Sequence, residues 1–212
     1  MKLFMLGAGG HARVLQEILE QAGHELTGFI APGAAESSLL GELTRYSDEE
    51  AIKHLSRENS LLINGVGSVR MPEFRWKIFQ SYAAEGFNFL QLQAQTSHVS
   101  NSATLMAGVQ VMHMAVIHSD AHIEDNVIVN TGAIVEHGCK IGNSTHIAVG
   151  AVLCGNVTVG EASHIGANAT VLQGVTIGDY VTVGAGAVVT KDVPSFSKAV
   201  GVPAVISNWG SE

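Results

Sequence analysis

Charge is scarce in this chain. Asp, Glu, Lys and Arg together make 14% of its 212 residues, against 46% hydrophobic. A disordered chain needs the reverse balance, so this one folds, and into a body with little surface per residue, such as a stacked or oligomeric one. Cations are scarcest: 11 Lys and Arg stand against 19 Asp and Glu, for a net charge of −8 and a pI near 5.6. Neutralising phosphate needs clustered Lys and Arg, so nucleic acid and anionic membranes are excluded as general partners. A small anion remains open, held by backbone amides or one local basic patch. Only two cysteines occur, Cys139 and Cys154, which form neither a disulfide framework nor a metal site. No run approaches the ~18 apolar residues of a membrane span. The opening "MKLFMLGAGGHARV" has a strand and a glycine turn where a signal peptide has an apolar core and a cleavage site. A cytoplasmic protein is the expectation.

Two grammars share the chain. Residues 1–92 alternate strands and helices. "KLFMLG" is an apolar run ending in a glycine turn. In "HARVLQEILEQAG", Val14, Leu15, Ile18 and Leu19 recur at helical spacing and Gly23 ends the helix. "ELTGFI", "LLINGVG" and "FNFLQL" read as three further strands. "SDEEAIKHL" is a helix capped by Ser47 or Asp48, with acids in its first turn. "PEFRWKIFQSYAAEG" is another, with Pro72 in its first turn. Strand–helix alternation predicts a small, Rossmann-like parallel α/β sheet.

From about Ser97 the period becomes six. Cut into hexads from Ala103 to Asp192, the third residues run Leu105, Val111, Ile117, Ile123, Val129, Val135, Ile141, Ile147, Leu153, Val159, Ile165, Val171, Ile177, Val183, Val189. All fifteen are aliphatic and no insertion breaks the register. The first residue of each hexad is Ala, Val, Cys, Thr or Ser. This is the hexapeptide β-helix repeat, three hexads to an 18-residue triangular coil. First and third residues point into the prism, the second points out, and the fourth to sixth turn the corner with help from glycine. Such hexads are associated with a left-handed parallel β-helix, expected here over 93–195 with 196–212 as a C-terminal tail.

Coils stack at roughly the 4.8 Å strand spacing, so residues 18 apart lie above one another. His137, fifth in its hexad, projects from a corner. Gly155 lies above it and Ser119 below. A glycine over an exposed histidine permits close approach and offers a backbone N–H that can hold an acyl carbonyl above a base. His146 is second in its hexad, on a flat face, with His164 above. Nine residues separate His137 from His146, so they occupy different sides of one prism, and a site using both draws on neighbouring chains. Outward positions tolerate almost any polar residue, so the pattern alone does not make these histidines chemical. Seven of the ten histidines fall in the repeat half, but they lack the partners and carboxylates of a metal site. No metal is expected. Outer-face residues such as Val116, Ile128, Ile134 and Val152 need covering, and a cyclic homotrimer supplies that cover with three equivalent clefts.

Four segments in this order, "LGAGGHARV", "INGVGSVR", "NTGAIVEHGCKIG" with "STHIAVGAVLCGNVTVG", and "VGAGAVVTKDVPSFSKAVGVPA", resemble the NeuD-like sugar O- and N-acetyltransferases. These hexapeptide-repeat enzymes join a nucleotide-sugar-binding α/β domain to a left-handed β-helix and use acetyl-CoA. The resemblance covers nearly the whole chain. It implies that His137 is the general base toward a sugar amine or hydroxyl, a task that suits imidazole because its pKa lies near working pH. It implies that His146 contacts the acetyl or pantetheine part, that Asn130 faces the sugar nucleotide, and that Gly184, Gly186, Lys191 and the "GVPA" segment from Gly201 line a CoA channel between subunits. The Gly155 amide is the candidate oxyanion donor. The family commonly flanks this histidine with acids. Here Glu136 precedes it but Gly138 follows, so Glu136 is either the group that orients the imidazole or a solvated corner residue.

"GAGGHA", Gly7 to Ala12, lies between strand and helix, where N-terminal amides favour phosphate. Gly9, Gly10 and His11 are its candidate contacts. A dinucleotide fold wants an acid after the second strand, and this chain has "GFIAP" there, which disfavours NAD. "NGVGSVR" forms a second wall, with Gly65, Gly67 and Ser68 as candidates and Arg70 either reaching phosphate or capping the next helix. The expected activity is acetyl-CoA-dependent N-acetylation of a nucleotide-linked amino sugar by direct attack, for surface glycan synthesis. The other readings are O-acetylation, a non-catalytic trimer that binds a sugar nucleotide, and a β-helix carbonic anhydrase, which needs zinc.

Overall fold

A computed structural model describes residues 1–32, 43–68 and 72–208. The chain separates into two compact units, Met1–Gln95 and Thr96–Glu212.

The first unit contains β1 (Lys2–Leu6), α1 (Gly10–Gln21), β2 (Leu26–Ile30), β3 (Thr44–Tyr46), α2 (Asp48–His54), β4 (Ser60–Asn64), α3 (Pro72–Ala84) and β5 (Asn88–Phe89). The sheet order is β3-β2-β1-β4-β5 and every pairing is parallel. This is the Rossmann-like sheet expected from the alternation. β1 and β4 are central, and Phe4, Met5, Leu6, Leu62 and Ile63 are each at most 2% exposed, as strands covered on both faces require.

Ser47 is the N-cap of α2. Its Oγ accepts from the Glu50 amide at 3.2 Å, and the Glu50 carboxylate accepts from the Ser47 amide at 2.7 Å, a reciprocal capping box. Gly23 (φ +77°) ends α1 as expected. Two differences emerge. Thr44–Tyr46 is an edge strand with mostly exposed side chains, so no hydrophobic run announced it. "FNFLQL" is not one strand: Asn88–Phe89 pairs with β4, and Leu92–Gln93 is a separate two-residue strand.

In the second unit each hexad contributes one two-residue strand at its second and third positions. Strands pair in parallel with those 18 residues away, as in Ile134 with Val152, Lys140 with Thr158 and His146 with His164. The result is a three-faced parallel β-helix. The faces are named here by Ile134, Lys140 and His146. First and third residues form one continuous core from Val109 to Val193. Each buried Val, Leu or Ile in it contributes about 1.5–3 kcal/mol relative to exposure. Where the first residue is polar, its hydroxyl is bonded: Thr145 Oγ1 donates to the Gly160 carbonyl at 2.6 Å, and Ser163 Oγ to the Gly178 carbonyl at 2.9 Å.

The corner has a stricter rule than glycine richness. The sixth residue of every hexad from Gly108 to Gly186 has positive φ, and eight of these fourteen are not glycine: Met114, Asp120, Asn126, Ser144, Asn156, Ala162, Asn168 and Tyr180. Left-handed backbone costs an L-residue roughly 1–2 kcal/mol. The coil imposes it because the corner amide bonds an oxygen of the coil below, usually a carbonyl, as Asn156 N–H does to His137 at 2.9 Å, and for Met114 and Asp120 a side-chain hydroxyl, of Thr96 and Ser102.

Two expectations are corrected. Ile128 is 1% exposed and lies on the His146 face, so it needs no outside cover. Val116, Ile134 and Val152 are half-buried on the Ile134 face, in line with Val188. The segment read as a tail is structured: Ser197–Val200 pairs with Thr182–Val183 of the last coil, and Val205–Asn208 folds back on it antiparallel.

Candidate active site

His137 stands on the corner between the Ile134 and Lys140 faces, and its side chain is exposed. Its ring lies against the backbone of Gly155 one coil above. A Cβ built on Gly155 would be 2.6 Å from Nε2 and 2.7 Å from Cε1, so the ring occupies space that any other residue at 155 would fill. His137, Gly155, Asn156, Gln173 and Gly174 line a cleft of about 310 Å³. Along the prism, amides at the fifth hexad position are often claimed by the next coil: Ala107 N–H donates to Asp125 Oδ1 at 2.9 Å, and Glu161 N–H to Asp179 Oδ1 at 2.9 Å. No described residue accepts a hydrogen bond from Gly155 N–H.

Glu136 does not turn toward the imidazole. One carboxylate oxygen accepts a long bond, 3.4 Å, from the His137 backbone N–H, and the other lies 3.7 Å from His118 Nε2. His118 in turn packs edge-on to His98, with ring centroids 6.3 Å apart. Of the two readings of Glu136, this geometry pairs its carboxylate with His118, one coil below, and not with the His137 ring. Gly138 has a local cause. It holds φ +68°, and a Cβ there would collide with Oδ1 of Asn156 from the coil above. A side chain at 138 would require the Asn156 amide to move aside.

Asn130 and His146 are brought together, away from His137. Asn130 Oδ1 accepts from Thr131 N–H at 2.8 Å, so its amide nitrogen is the group that meets His146 Nε2 at 3.0 Å. Nε2 is thus an acceptor, and the ring proton of neutral His146 sits on Nδ1. His146 is only 5% exposed. His164 packs edge-on above it, centroids 4.9 Å apart, and burial lowers the His164 pKa.

Stacking groups the remaining candidates by corner. Lys191 is exposed on the His137 corner, three coils above it, roughly 14 Å away at the strand spacing. Gly184 and Gly186 share the Asn130 corner, also three coils up. Gly184 packs against Val200, whose Cγ2 is 3.1 Å from where a Cβ would sit, whereas nothing lies within 4 Å of that position on Gly186. Gly201 (φ +103°) accepts from Val188 N–H at 3.0 Å. The Ile134 face separates the two corners, so one prism does not unite His137 with Asn130, His146, Gly184 and Gly186. Cys139 is buried, which pushes its thiol up to about 11, and Sγ–H donates to the Cys154 carbonyl at 3.3 Å. Cys139 is no nucleophile. Among the described residues, no three His, Cys, Asp or Glu side chains gather where a metal could bind, and no helix is long and apolar enough to cross a membrane.

In the first unit, the sheet order reverses between β1 and β4, the point where parallel sheets open a crevice beyond their carboxyl ends. The loops after these strands carry the two glycine motifs. Nothing lies within 4 Å of where a Cβ would stand on Gly9 or Gly10, at the start of α1. Gly67 is exposed and faces His11, with His11 Cβ 3.8 Å from its Cβ position. Two candidates are packed away from the crevice. A Cβ on Gly65 would fall 2.9 Å from both Ala12 Cβ and the Leu6 carbonyl, so the glycine lets α1 pack on the sheet. Ser68 is 1% exposed and presents no side chain to the crevice. Arg70 lies outside the described residues.

Sequence reasoning missed Arg75. It is fully buried in the first turn of α3, and its Nη1 donates to the carbonyls of Asn64 at 2.7 Å and Val66 at 2.6 Å. The signal was present: Arg75 shares helical spacing with the buried Phe79 and Tyr82.

Comparison with known proteins agrees with this architecture. Residues 2–82 match the PglD N-terminal domain and residues 156–191 the bacterial transferase hexapeptide repeat. A mutant of the perosamine N-acetyltransferase of Caulobacter crescentus, solved with CoA and GDP-perosamine, is 33% identical over 98% of this chain and 97% of its own, with a TM-score of 0.89. The acetyltransferase domain of PglB from Neisseria gonorrhoeae, solved with acetyl coenzyme A, is 35% identical over 96% of this chain and 98% of its own, with a TM-score of 0.88. WeeI from Acinetobacter baumannii, at 24% identity and a TM-score of 0.86, shares the fold. Matched end to end at this identity, in both the α/β unit and the repeats, the chain belongs to the NeuD-like family of hexapeptide-repeat sugar acyltransferases.

Proposed function

We propose that this protein transfers an acetyl group from acetyl-CoA to the amino group of a nucleotide-linked sugar, with His137 as general base. The observation that carries the reading is the open corner cleft in which the His137 ring lies under the unclaimed Gly155 amide. The relatives solved with GDP-perosamine and acetyl coenzyme A support the substrate classes. The sugar amine attacks the thioester carbonyl, and His137 removes the proton from the attacking nitrogen. The carbonyl oxygen gains the negative charge, which Gly155 N–H stabilises. Collapse of the intermediate breaks the C–S bond, and the departing thiolate takes the proton from His137. Attack is direct, with no acyl-cysteine.

The site is completed by a second copy of the chain. In a cyclic trimer with the apolar Ile134 face turned inward, the His137 corner of each prism meets the neighbour's opposite corner. That corner carries Asn130, Gly184 and Gly186, with His146 on the adjoining face. The His146–Asn130 pair and the Gly186–Gly201 region then bound the acetyl-CoA channel, with Lys191 above His137. The loops holding Gly9, Gly10, His11 and Gly67 bind the nucleotide part, and Arg70 is a further candidate there.

The test is thiol release from acetyl-CoA against GDP-, UDP- and dTDP-linked amino sugars, beginning with GDP-perosamine, with His137→Ala alongside. Turnover on one acceptor, reduced at least a hundredfold in a folded variant, is the expected result. A variant within a few-fold of wild type removes His137 from the mechanism. A panel without turnover, followed by turnover on a hydroxyl-bearing acceptor, replaces N- by O-acetylation.

A further inference from the structure

We infer that Arg75 is a positioning residue for the nucleotide diphosphate, acting through the backbone amide of Gly67. This rests on the nucleotide-sugar reading above and names how one wall of that site is built.

The inference begins with an expensive burial. Arg75 is 0% exposed, and burying a guanidinium is costly unless its donors are satisfied. Burial pushes its pKa down to about 9, still above neutral pH, so the charge persists at pH 7. Its Nη1 spends both protons on main-chain carbonyls of one short loop, Asn64 at 2.7 Å and Val66 at 2.6 Å. Asn64 reinforces the same arrangement: its Oδ1 accepts from Val66 N–H at 3.1 Å, and its Nδ2 donates to the Arg75 carbonyl at 3.3 Å. The loop after β4 is therefore lashed to the first turn of α3 by charge-assisted bonds.

The direction of those bonds matters. In a trans peptide the C=O of one residue and the N–H of the next point opposite ways. The Asn64 carbonyl turns to Arg75, and the Gly65 N–H accordingly points back to the Leu6 carbonyl at 2.8 Å. The Val66 carbonyl also turns to Arg75, so the Gly67 N–H points away from the buried guanidinium. Gly67 is exposed, faces His11 across the crevice, and no described residue accepts from its N–H. A donor held outward at the sheet's switch point, opposite the first turn of α1 and backed by a buried positive charge, is suited to a diphosphate oxygen. Arg75 itself touches no ligand. It sets the peptide plane that does.

The experiment measures binding of GDP, UDP and dTDP, and separately of CoA, to the full-length protein by calorimetry, for wild type, Arg75→Lys and Arg75→Gln. The expected result is a nucleotide Kd raised at least tenfold in Arg75→Gln and less in Arg75→Lys, with the CoA Kd within about twofold of wild type. With the preferred acceptor, KM for the nucleotide sugar rises while kcat and KM for acetyl-CoA hold. Wild-type binding with unchanged nucleotide affinity in both folded variants overturns the positioning role and leaves the function standing. Wild type that binds CoA but none of the three nucleotides sinks the nucleotide reading and this inference with it. Should both variants fail to fold, wild type alone decides: the Gly67 amide resonance must be among those most shifted when the nucleotide saturates, and a Gly67 resonance that does not move overturns the inference.

Discussion

Replacing Gly155 by alanine adds one carbon and two hydrogens, yet it should disable the enzyme while sparing the fold. The added Cβ would sit 2.6 Å from His137 Nε2 and 2.7 Å from Cε1. Ordinary contact between such atoms begins near 3.5 Å, so the ring must retreat by about 1 Å. His137 is exposed and its ring holds no hydrogen bond to a described residue, so retreat is cheap; Gly155 itself has no positive φ that alanine would strain. The melting temperature should therefore change by about 3 °C or less, equivalent to under ~1 kcal/mol. Catalysis is less forgiving, because displacing a catalytic group by ~1 Å costs on the order of a hundredfold, or about 2.7 kcal/mol of activation free energy. The N–H of residue 155 survives the substitution, so the loss reports the position of the base and not the oxyanion donor. The assay is kcat/KM by thiol release together with a thermal melt. Full activity in Gly155→Ala refutes the placement of the base against this glycine. Equal loss of activity and stability refutes the claim that the contact serves chemistry.

Further outcomes test other parts of the reasoning. Ile134→Arg should break the proposed trimer of 22.2 kDa chains into smaller species and abolish turnover, checked by light scattering; an assembly unchanged by the substitution excludes the Ile134 face from the interface. Met114→Gly should be neutral or stabilising by up to ~1 kcal/mol, since Met114 is 69% exposed with φ 59° and relief of left-handed strain outweighs the entropy of glycine. Gly132→Ala, at φ +66° with open space around it, should cost about 1 kcal/mol in the same denaturation assay. Burial lowers the His164 pKa from 6.5, so the unfolded chain binds the proton more readily. Stability should be full above the unfolded pKa and fall as pH drops below it, and His164→Gln should flatten that part of the curve. A His164→Gln profile matching wild type assigns the acid sensitivity elsewhere.

The family was legible because the resemblance spans the chain, but the supporting cast of the site was not. Glu136 looks like a partner for His137 because it is adjacent in sequence; its carboxylate in fact reaches His118, 18 residues away. Gly138 reads as a missing acid, and the obstruction is Asn156 in the next coil. Gly65 and Ser68 share a motif with Gly67, but only Gly67 faces open space, since α1 packs on Gly65 and Ser68 is buried. Arg75 was passed over because a charged residue in a helix is usually solvated.

The repeat unit's architecture was settled by sequence alone, for a physical reason. With a period of six and strict side-chain alternation, the placement of every first, third and fifth residue follows by counting, and stacking at 18 residues follows from the count. That is enough to set Gly155 over His137 and to put His137 and His146 on different sides. Only the tertiary structure could decide what each outward group touches, which carbonyls Arg75 would claim, and that Ile128 would be covered while Ile134 stays partly open. Those outcomes depend on groups distant in sequence competing for the same few ångströms, and no local pattern carries that information.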